Sequence, residues 1–318
     1  MFFQPIQPHL MEVLGGTVMK VRLKAFIFSI IIALIVTVSP GCSEKPTDET
    51  FDNPPYNDTI TEGDFEYYYV SAETGFLNPD DGVQYVDTIL PPLKSGYIIV
   101  RYEGVESSLI LPTATLDGTP VIGIGRWAFS HAPNLKEVII PKGYQYIFKY
   151  AFLGLATLES VYIGSTIEYI SGGIIFEQCN QLKNIQVDPD NPTYMSSENC
   201  LLKKDDMTLI AGCSESVIPQ GTTVIASCAF SERKGPSEIY IPDSVVEIQS
   251  SAFFLCDVAV VYIQGQPSVV GEHAFTGCEQ TIIFCDVDAQ PASWHPNWIG
   301  DSSERYRPPQ VVWNAKGY

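Results

Sequence analysis

The sequence has few basic residues. Its 318 residues include 18 Lys and Arg against 37 Asp and Glu, and the formal net charge is −19 at pH 7. Binding to nucleic acid phosphates requires a basic face, so this charge excludes nucleic acid as a partner. Charged residues of both signs make up only 17% of the chain and hydrophobic residues 45%, which favours an ordered, β-rich body over a disordered chain.

The residues that enzymes and metal sites use are also sparse. The chain has four histidines, and the motifs G-x-S-x-G, H-E-x-x-H and C-x-x-C do not occur in it. Neither His131 nor His273 has a plausible nucleophile close to it in the sequence. Residues 188–192, Asp-Pro-Asp-Asn-Pro, carry carboxylates but lack the further ligands of a Ca²⁺ loop, which favours a turn. These absences predict a protein that is not an enzyme and binds neither a metal nor a cofactor.

Residues 123–128 fit the G-x-G-x-x-A form of a dinucleotide-binding turn. Such a turn opens a long helix, with an acidic residue about 20 positions further on. Residues 134–138 instead predict another short strand before a long helix could fit. We therefore interpret Gly123 to Phe129 as part of a repeat.

The dipeptide Ala-Phe supports this interpretation, because it recurs along the chain. The intervals are 22 to 24 residues, apart from one gap of 54. The Phe positions, with Ile-Phe replacing Ala-Phe once at 175–176, are Phe129, Phe152, Phe176, Phe230, Phe253 and Phe275. A fixed period of this length is typical of a solenoid.

The rest of each unit repeats in register with the Phe. An aliphatic residue precedes it by five places, with Ile170 displaced by one place in the third unit, and an L-x-x-V-x-I stretch that predicts a short strand follows it. Cys179, Cys256 and Cys278 each lie three places after a Phe, where other units have Ala132 or Leu155. This interchange predicts a small buried position that free cysteine fills as a hydrophobe. Cys200 and Cys213 lie outside the register and could form a disulfide.

The N-terminal 41 residues have the order of a secretory signal. Three basic residues precede an apolar run from Ala25 to Val38, and residues 39–42, Ser-Pro-Gly-Cys, resemble a lipoprotein cleavage site. We predict a signal segment over 1–41, with Met19 as the true start, and a lipid on Cys42; ordinary secretion is the alternative. The acidic, proline-bearing residues 42–64 predict a flexible tether.

The remaining boundaries follow from the period. We predict an N-terminal β cap over 65–120, repeats over 121–287 with a hairpin insertion at about 188–215, and a C-terminal cap over 288–318. Trp294, Trp298 and Trp313 cluster in the C-terminal segment, where covering the last rung is favoured over stacking on a ligand.

The pattern L-x-x-V-x-I-P followed by I-G-x-x-A-F-x-x-C resembles the BspA-like leucine-rich repeat of bacterial surface proteins, over roughly residues 97–313. The resemblance implies a β-rich leucine-rich-repeat solenoid, a parallel β-sheet of stacked repeats of about 23 residues with short helical turns, an N-terminal β-hairpin cap and a C-terminal cap. It also implies a surface location and, in some relatives, adhesion to host matrix proteins or other cells. It implies no catalytic residues.

The repeat predicts one outward column on the exposed sheet face, with rungs about 4.8 Å apart. Its members are Ile110, Ile139, Tyr162, Gln186, Val217, Tyr240, Tyr262 and Phe284. Exposed aromatic surface marks partner sites, although stacked rings also stabilise neighbouring rungs. We predict a non-enzymatic adhesion module that binds a protein or glycan through Tyr162, Tyr240, Tyr262 and Phe284. A lipid would hold it at the outer membrane surface, with the periplasmic face or secretion as alternatives; the other candidate role is an envelope scaffold.

Overall fold

The computed structural model describes residues 59–71, 94–300 and 306–316, which form a β-solenoid of parallel-stacked repeats. The first ten strands are β1 (Thr59–Glu62), β2 (Phe65–Val70), β3 (Gly96–Tyr102), β4 (Ser108–Ile110), β5 (Val121–Ile124), β6 (Glu137–Ile140), β7 (Tyr146–Ile147), β8 (Ser160–Ile163), β9 (Tyr169–Ile170) and β10 (Asn184–Val187). The other ten are β11 (Tyr194–Ser197), β12 (Cys200–Lys203), β13 (Thr208–Ala211), β14 (Val224–Ile225), β15 (Glu238–Ile241), β16 (Glu247–Ile248), β17 (Val260–Ile263), β18 (Val269–Val270), β19 (Ile282–Cys285) and β20 (Gln310–Trp313).

These strands form four sheets, two in each half of the solenoid. In the N half, residues 59–187, sheet N1 has the order β1-β2-β3-β5-β7-β9 and sheet N2 the order β10-β8-β6-β4. In the C half, residues 194–313, sheet C1 has the order β11-β12-β13-β14-β16-β18 and sheet C2 the order β15-β17-β19-β20. N1 and C1 each begin with three antiparallel strands and continue with parallel ones. The predicted insertion at 188–215 is therefore the start of a second half built on the same plan as the first.

The turns that carry the repeat Phe are not helical, in contrast to the expected short helical turns. In five units the residue two places before the Phe has a φ of 56° to 59°, which a right-handed helix does not allow. The residues are Trp127, Tyr150, Cys228, Ser251 and His273. The third unit, where Ile170 is displaced, accommodates its extra residue in a 3₁₀ helix at Gly173–Phe176, the sole helix in the described ranges. Residues after Gly125 likewise form a turn, as the repeat interpretation requires.

The Phe side chains form two buried stacks rather than one continuous spine. Phe129, Phe152 and Phe176 stack with centroids 5.2 and 5.6 Å apart. The second stack contains Phe230, Phe253 and Phe275, with spacings of 5.0 and 4.7 Å. The two stacks belong to separate hydrophobic clusters, so the recurring Phe residues do not build one continuous core.

Gly212 and Arg233 explain this break. The Gly212 N–H donates to the Ala229 carbonyl at 2.9 Å, and the Tyr102 N–H donates to the Ala128 carbonyl at 2.8 Å. Because each of these alanines precedes a repeat Phe, Gly212 occupies in the C half the position that Tyr102 occupies in the N half. Tyr102 stacks on Phe129, whereas a Cβ on Gly212 would lie 2.0 Å from the Phe230 ring. A ring on this rung is therefore excluded.

Arg233 occupies the position three places after the Phe, where Cys, Ala or Leu fills the other units. The side chain is buried, and its guanidinium crosses the gap between the stacks. Nη1 donates to the Gly212 carbonyl at 2.9 Å, and Nη2 donates to the carbonyls of Gly173 and Cys228 at 3.0 Å each. Since Gly173 lies in the third unit and Gly212 in the C half, Arg233 joins the two halves.

Where sheet N1 ends and sheet C1 begins, hydrogen bonds from side chains take the place of backbone pairing between strands. The hydroxyl of the buried Tyr194 in β11 accepts the N–H of Ile170 in β9 at 3.0 Å. The fully buried Asn191 donates through Nδ2 to the carbonyls of Gly164 and Ile167, at 3.0 and 3.2 Å. The segment 188–192 is thus a turn whose buried Asn191 anchors the second half to the first.

Trp298 covers the C-terminal end of the second stack. Its ring lies edge-on to Phe275 at 5.6 Å and contacts Trp294 at 5.0 Å, and both tryptophans are buried. Buried rings of this kind cannot stack on a ligand, which agrees with the preferred covering role.

Two predicted boundaries need correction. The N-terminal β cap includes residues before Phe65, because Thr59–Glu62 pairs as β1 with β2 across a tight turn at Gly63 and Asp64. The ladder also extends beyond 121–287, since β4 pairs in parallel with β6 and β20 with β19. The predicted signal segment and Cys42 lie outside the described residues, as does the tether before Thr59. No helix in the described ranges is long and apolar enough to cross a bilayer.

Candidate binding face

The outward face of sheet C2 is more apolar than that of sheet N2. Buried residues alternate with partly or fully exposed ones along these strands, so each strand presents two residues outward. The central strands of C2 present Val260, Tyr262, Ile282 and Phe284. Those of N2 present Glu137, Ile139, Ser160 and Tyr162, pairing one polar with one apolar residue on each strand. N2 shows that the repeat does not require two apolar residues on the outer side.

Three of the predicted binding residues form an aromatic column on C2. The register pairs Tyr240 with Tyr262 and Tyr262 with Phe284. The rings stack nearly parallel, with centroids 4.5 and 5.1 Å apart and interplanar angles of 12° and 13°. Val312 of β20 continues the column beyond Phe284.

This stacking decides which ring surfaces are open. Ring faces inside the column are in contact with one another, so Tyr262 presents its edge and hydroxyl outward. Tyr240, on the edge strand β15, is 43% exposed. Its hydroxyl donates to Glu238 Oε2 at 3.2 Å. The column therefore offers apolar edges and hydroxyl groups, plus one accessible ring face at Tyr240.

The fourth predicted residue, Tyr162, lies in sheet N2, away from the other three. It pairs with Ile139 and Gln186, and its hydroxyl donates to Asp188 Oδ2 at 2.9 Å. The predicted eight-rung column is wrong, because N2 and C2 are separate four-stranded sheets. Val217, predicted to bridge them, donates its N–H to the Glu198 carbonyl of the β11–β12 hairpin and lies outside the ladders.

A cleft of about 380 Å³ opens where the C2 strands end. Tyr262, Phe284 and Gln264 line it together with two carboxylates, Asp243 and Asp286. The Gly265 N–H donates to Asp286 Oδ2 at 2.9 Å, and the Gln220 amide donates to Asp243 Oδ1 at 2.9 Å. Sequence reasoning missed both carboxylates. The available signal was their place directly after repeat strands, beside the outward aromatic positions.

Two histidines approach one carboxylate near the C-terminal end of the repeats. His273 Nε2 and His295 Nε2 lie 3.8 and 3.9 Å from Glu272 Oε1. The Asn297 N–H donates to His295 Nδ1, so in the neutral ring the proton resides on Nε2, which then cannot ligate a metal. Among the described residues no group of His, Cys, Asp and Glu is arranged to hold a metal ion.

The cysteines in the repeat register are buried, as predicted. Cys200 and Cys213, for which a disulfide was the alternative, are free thiols in the structure. Burial raises the pKa of four thiols to about 12, and we call these four the buried thiols: Cys179, Cys200, Cys278 and Cys285. Thiols of this kind are poor nucleophiles and poor metal ligands at neutral pH.

The match to a protein-family model agrees with this fold. A family model described as BspA type leucine rich repeat region matches residues 109–206 and 210–285 in six copies, more than half of the chain. No curated protein sequence matches the chain.

Several solved structures resemble it at low identity. A leucine-rich repeat protein from Eubacterium ventriosum is 14% identical over 56% of this chain, with a TM-score of 0.40, and the chain spans 60% of that protein's length. The T. pallidum leucine rich repeat protein is 24% identical over 59% of this chain and 73% of its own, with a TM-score of 0.37. One from Bacteroides ovatus is 18% identical over 72% of this chain and 71% of its own, with a TM-score of 0.34.

Proposed function

The chain belongs to the BspA-type leucine-rich repeat family, and we propose that it is a non-enzymatic, cell-surface protein-binding module whose partner docks on the outward face of sheet C2. Proteins of this family are generally extracellular or surface-associated. A lipid on Cys42 would hold the module at the outer membrane surface, and the acidic segment after it would act as a tether; secretion or the periplasmic face are the alternatives. Leucine-rich-repeat solenoids typically serve as binding or scaffold modules.

The outward face of C2 is the observation that supports this proposal. Its central strands present apolar or aromatic residues at both outward positions, although N2 shows that the fold works with a polar residue at one of them. Contiguous apolar surface is unusual on a soluble protein and marks partner sites. Tyrosine provides a large contact area at low cost in side-chain entropy.

The test replaces Tyr240, Tyr262 and Phe284 with Ser in one variant. Purified residues 59–318 are used to capture partners from matrix proteins and neighbouring bacteria, and affinity for each captured protein is measured by surface plasmon resonance. We expect the triple variant to weaken binding at least a hundredfold, since aromatic anchors each contribute about 1–2 kcal/mol or more. Unchanged affinity would rule out this face.

Two further variants test which sheet the partner contacts. Val269→Ser removes an exposed apolar residue from the opposite sheet, C1, and should leave affinity unchanged. Tyr162→Ser tests whether a partner also reaches N2, as the prediction from sequence requires. Circular dichroism and urea unfolding of each variant confirm that the solenoid is retained.

A scaffold role in the envelope is the second candidate, and the ring stacking favours it. Rings 4.5 and 5.1 Å apart stabilise adjacent rungs by about 0.5–1.5 kcal/mol per pair. If stability were the main role of these rings, the free energy of unfolding of the triple variant would fall by about 1–3 kcal/mol and its partner binding would not change. Protease added to intact cells distinguishes the candidates by location, because an adhesion module is cleaved and a periplasmic scaffold is protected.

A further inference from the structure

We infer that the C2 column and its cleft bind a basic segment of the partner protein, with a lysine or arginine side chain seated between Asp243 and Asp286. This inference rests on the proposed function and adds the chemistry of the partner. It depends on three observations: the charge of the cleft, the aromatic rings beside that charge, and the charge of the whole chain.

The cleft holds two carboxylates whose hydrogen-bond donors are neutral groups. Asp286 accepts the Gly265 N–H and Asp243 accepts the Gln220 amide, both neutral donors that orient a carboxylate without neutralising it. In the described ranges no Lys, Arg or His nitrogen lies within ion-pair distance of either carboxylate. The cleft lining contains no basic residue.

Some carboxylates elsewhere on the solenoid have basic partners. Glu159, between β6 and β10, lies 3.5 Å from Lys136 Nζ and 3.8 Å from Lys183 Nζ. Glu168 receives Lys94 Nζ at 2.9 Å. The chain thus pairs some of its surface acids with its own lysines, whereas the two acids of the C2 cleft have no such partner among the described residues and are available to a cation from outside.

The rings beside these carboxylates suit the same group. Tyr262 and Phe284 line the cleft that the carboxylates flank, and their stacked faces leave apolar edges toward it. Lysine and arginine cover apolar surface of this kind with their methylene stems while the charged group reaches a carboxylate. A cleft of about 380 Å³ is at the small end of the range for ligand pockets and suits single side chains.

The charge of the whole chain acts in the same direction. A net charge of −19 attracts a basic partner from a distance and repels an acidic one. The outward column adds Glu238 at its exposed end, hydrogen-bonded to Tyr240. A basic segment lying along the column would therefore meet carboxylates at both ends and apolar ring edges between them.

The experiment measures binding of fluorescein-labelled decalysine, decaglutamate and a glycine-serine decapeptide to residues 59–318 by fluorescence anisotropy. Decalysine should bind with an affinity that falls as salt rises, and the other two should not. The variant Asp243→Asn with Asp286→Asn should weaken decalysine binding about tenfold, the contribution of a charge-assisted hydrogen bond. Asparagine keeps an oxygen for the Gly265 and Gln220 donors, so the fold is preserved, and Asp243→Asn alone should weaken binding about threefold.

The matched control removes two charges outside the cleft, Glu137→Gln with Glu198→Gln. If it weakens decalysine binding as much as the cleft variant does, the attraction comes from net charge alone and the inference is overturned. Equal binding of the glycine-serine peptide would overturn it as well. The Tyr240, Tyr262 and Phe284 variant separates the two proposals: if it loses a captured partner while the cleft variant keeps it, the binding face stands and the cationic ligand is wrong.

Discussion

Arg233 offers the sharpest test of how the solenoid is held together. The variant Arg233→Ala removes the donors to four backbone carbonyls, those of Gly173, Gly212, Cys228 and Ser231, and leaves a cavity at a buried position. Leaving buried acceptors without donors costs about 1–3 kcal/mol each, whereas removing a buried cation recovers part of its desolvation cost. We expect a net loss of about 3–5 kcal/mol in the free energy of unfolding.

The form of the unfolding curve is more diagnostic than its midpoint. Stability in a solenoid is a sum of repeat terms and neighbour interfaces, and Arg233 lies at the interface between the halves. Urea unfolding followed by circular dichroism should change from one transition to two as the halves separate. Arg233→Met, which keeps the volume but not the donors, should show most of this loss, because the hydrogen bonds carry it.

The matched control is Cys256→Ala, at the equivalent position one unit later. It should lower stability by about 1 kcal/mol without splitting the transition, since it removes one buried sulfur from inside the second stack. If Arg233→Ala unfolds at the wild-type midpoint in a single transition, the guanidinium does not couple the halves and this account of the junction is refuted.

Three other changes test the same packing. Gly212→Ala places a Cβ 2.0 Å from the Phe230 ring and should cost about 1–3 kcal/mol in urea unfolding, and a neutral result would contradict the close approach. Tyr194→Phe removes the acceptor of the Ile170 N–H and should cost about 1–3 kcal/mol, whereas Tyr97→Phe, on strand β3, should not. The buried thiols have a pKa of about 12 in the folded state, against an ordinary value of 9.0. Between these pH values the unfolded state releases thiol protons that the folded state keeps, so the free energy of unfolding should fall as pH rises from about 9, by up to about 1.4 kcal/mol per pH unit and thiol. A flat pH profile would contradict the burial of these thiols.

The sequence predicted the structural features that recur in every unit and missed those that occur at one place only. The spacing of the Phe residues predicted the rungs, and the register of Cys256 with Leu155 predicted a buried thiol, because each unit repeats the same local environment. The positive φ two places before the Phe could not be predicted, since Trp127, Tyr150 and Ser251 share no side-chain property that favours it.

The junction was missed for a related reason. Arg233 on its own predicts a surface residue, and only its place in the repeat register, where neighbouring units have Cys or Ala, suggests burial. Its partners Gly173 and Gly212 are 60 and 21 residues away, so no local pattern connects them. The prediction of an eight-rung column was wrong because the Val217 N–H donates to the turn between β11 and β12, a contact that periodicity does not predict.

The two halves share one plan, but the carboxylates that follow β10 and β19 have different roles, which explains why the candidate site lies in the C half. Asp188 directly follows β10 as Asp286 follows β19. Asp188 accepts the Tyr162 hydroxyl and the Asp190 N–H, and so helps to shape the turn that anchors β11. In the C half, Asp286 accepts the Gly265 N–H, which belongs to the turn after β17. The carboxylate that shapes the junction in the first half therefore corresponds, in the second half, to the one that our proposal assigns to the partner.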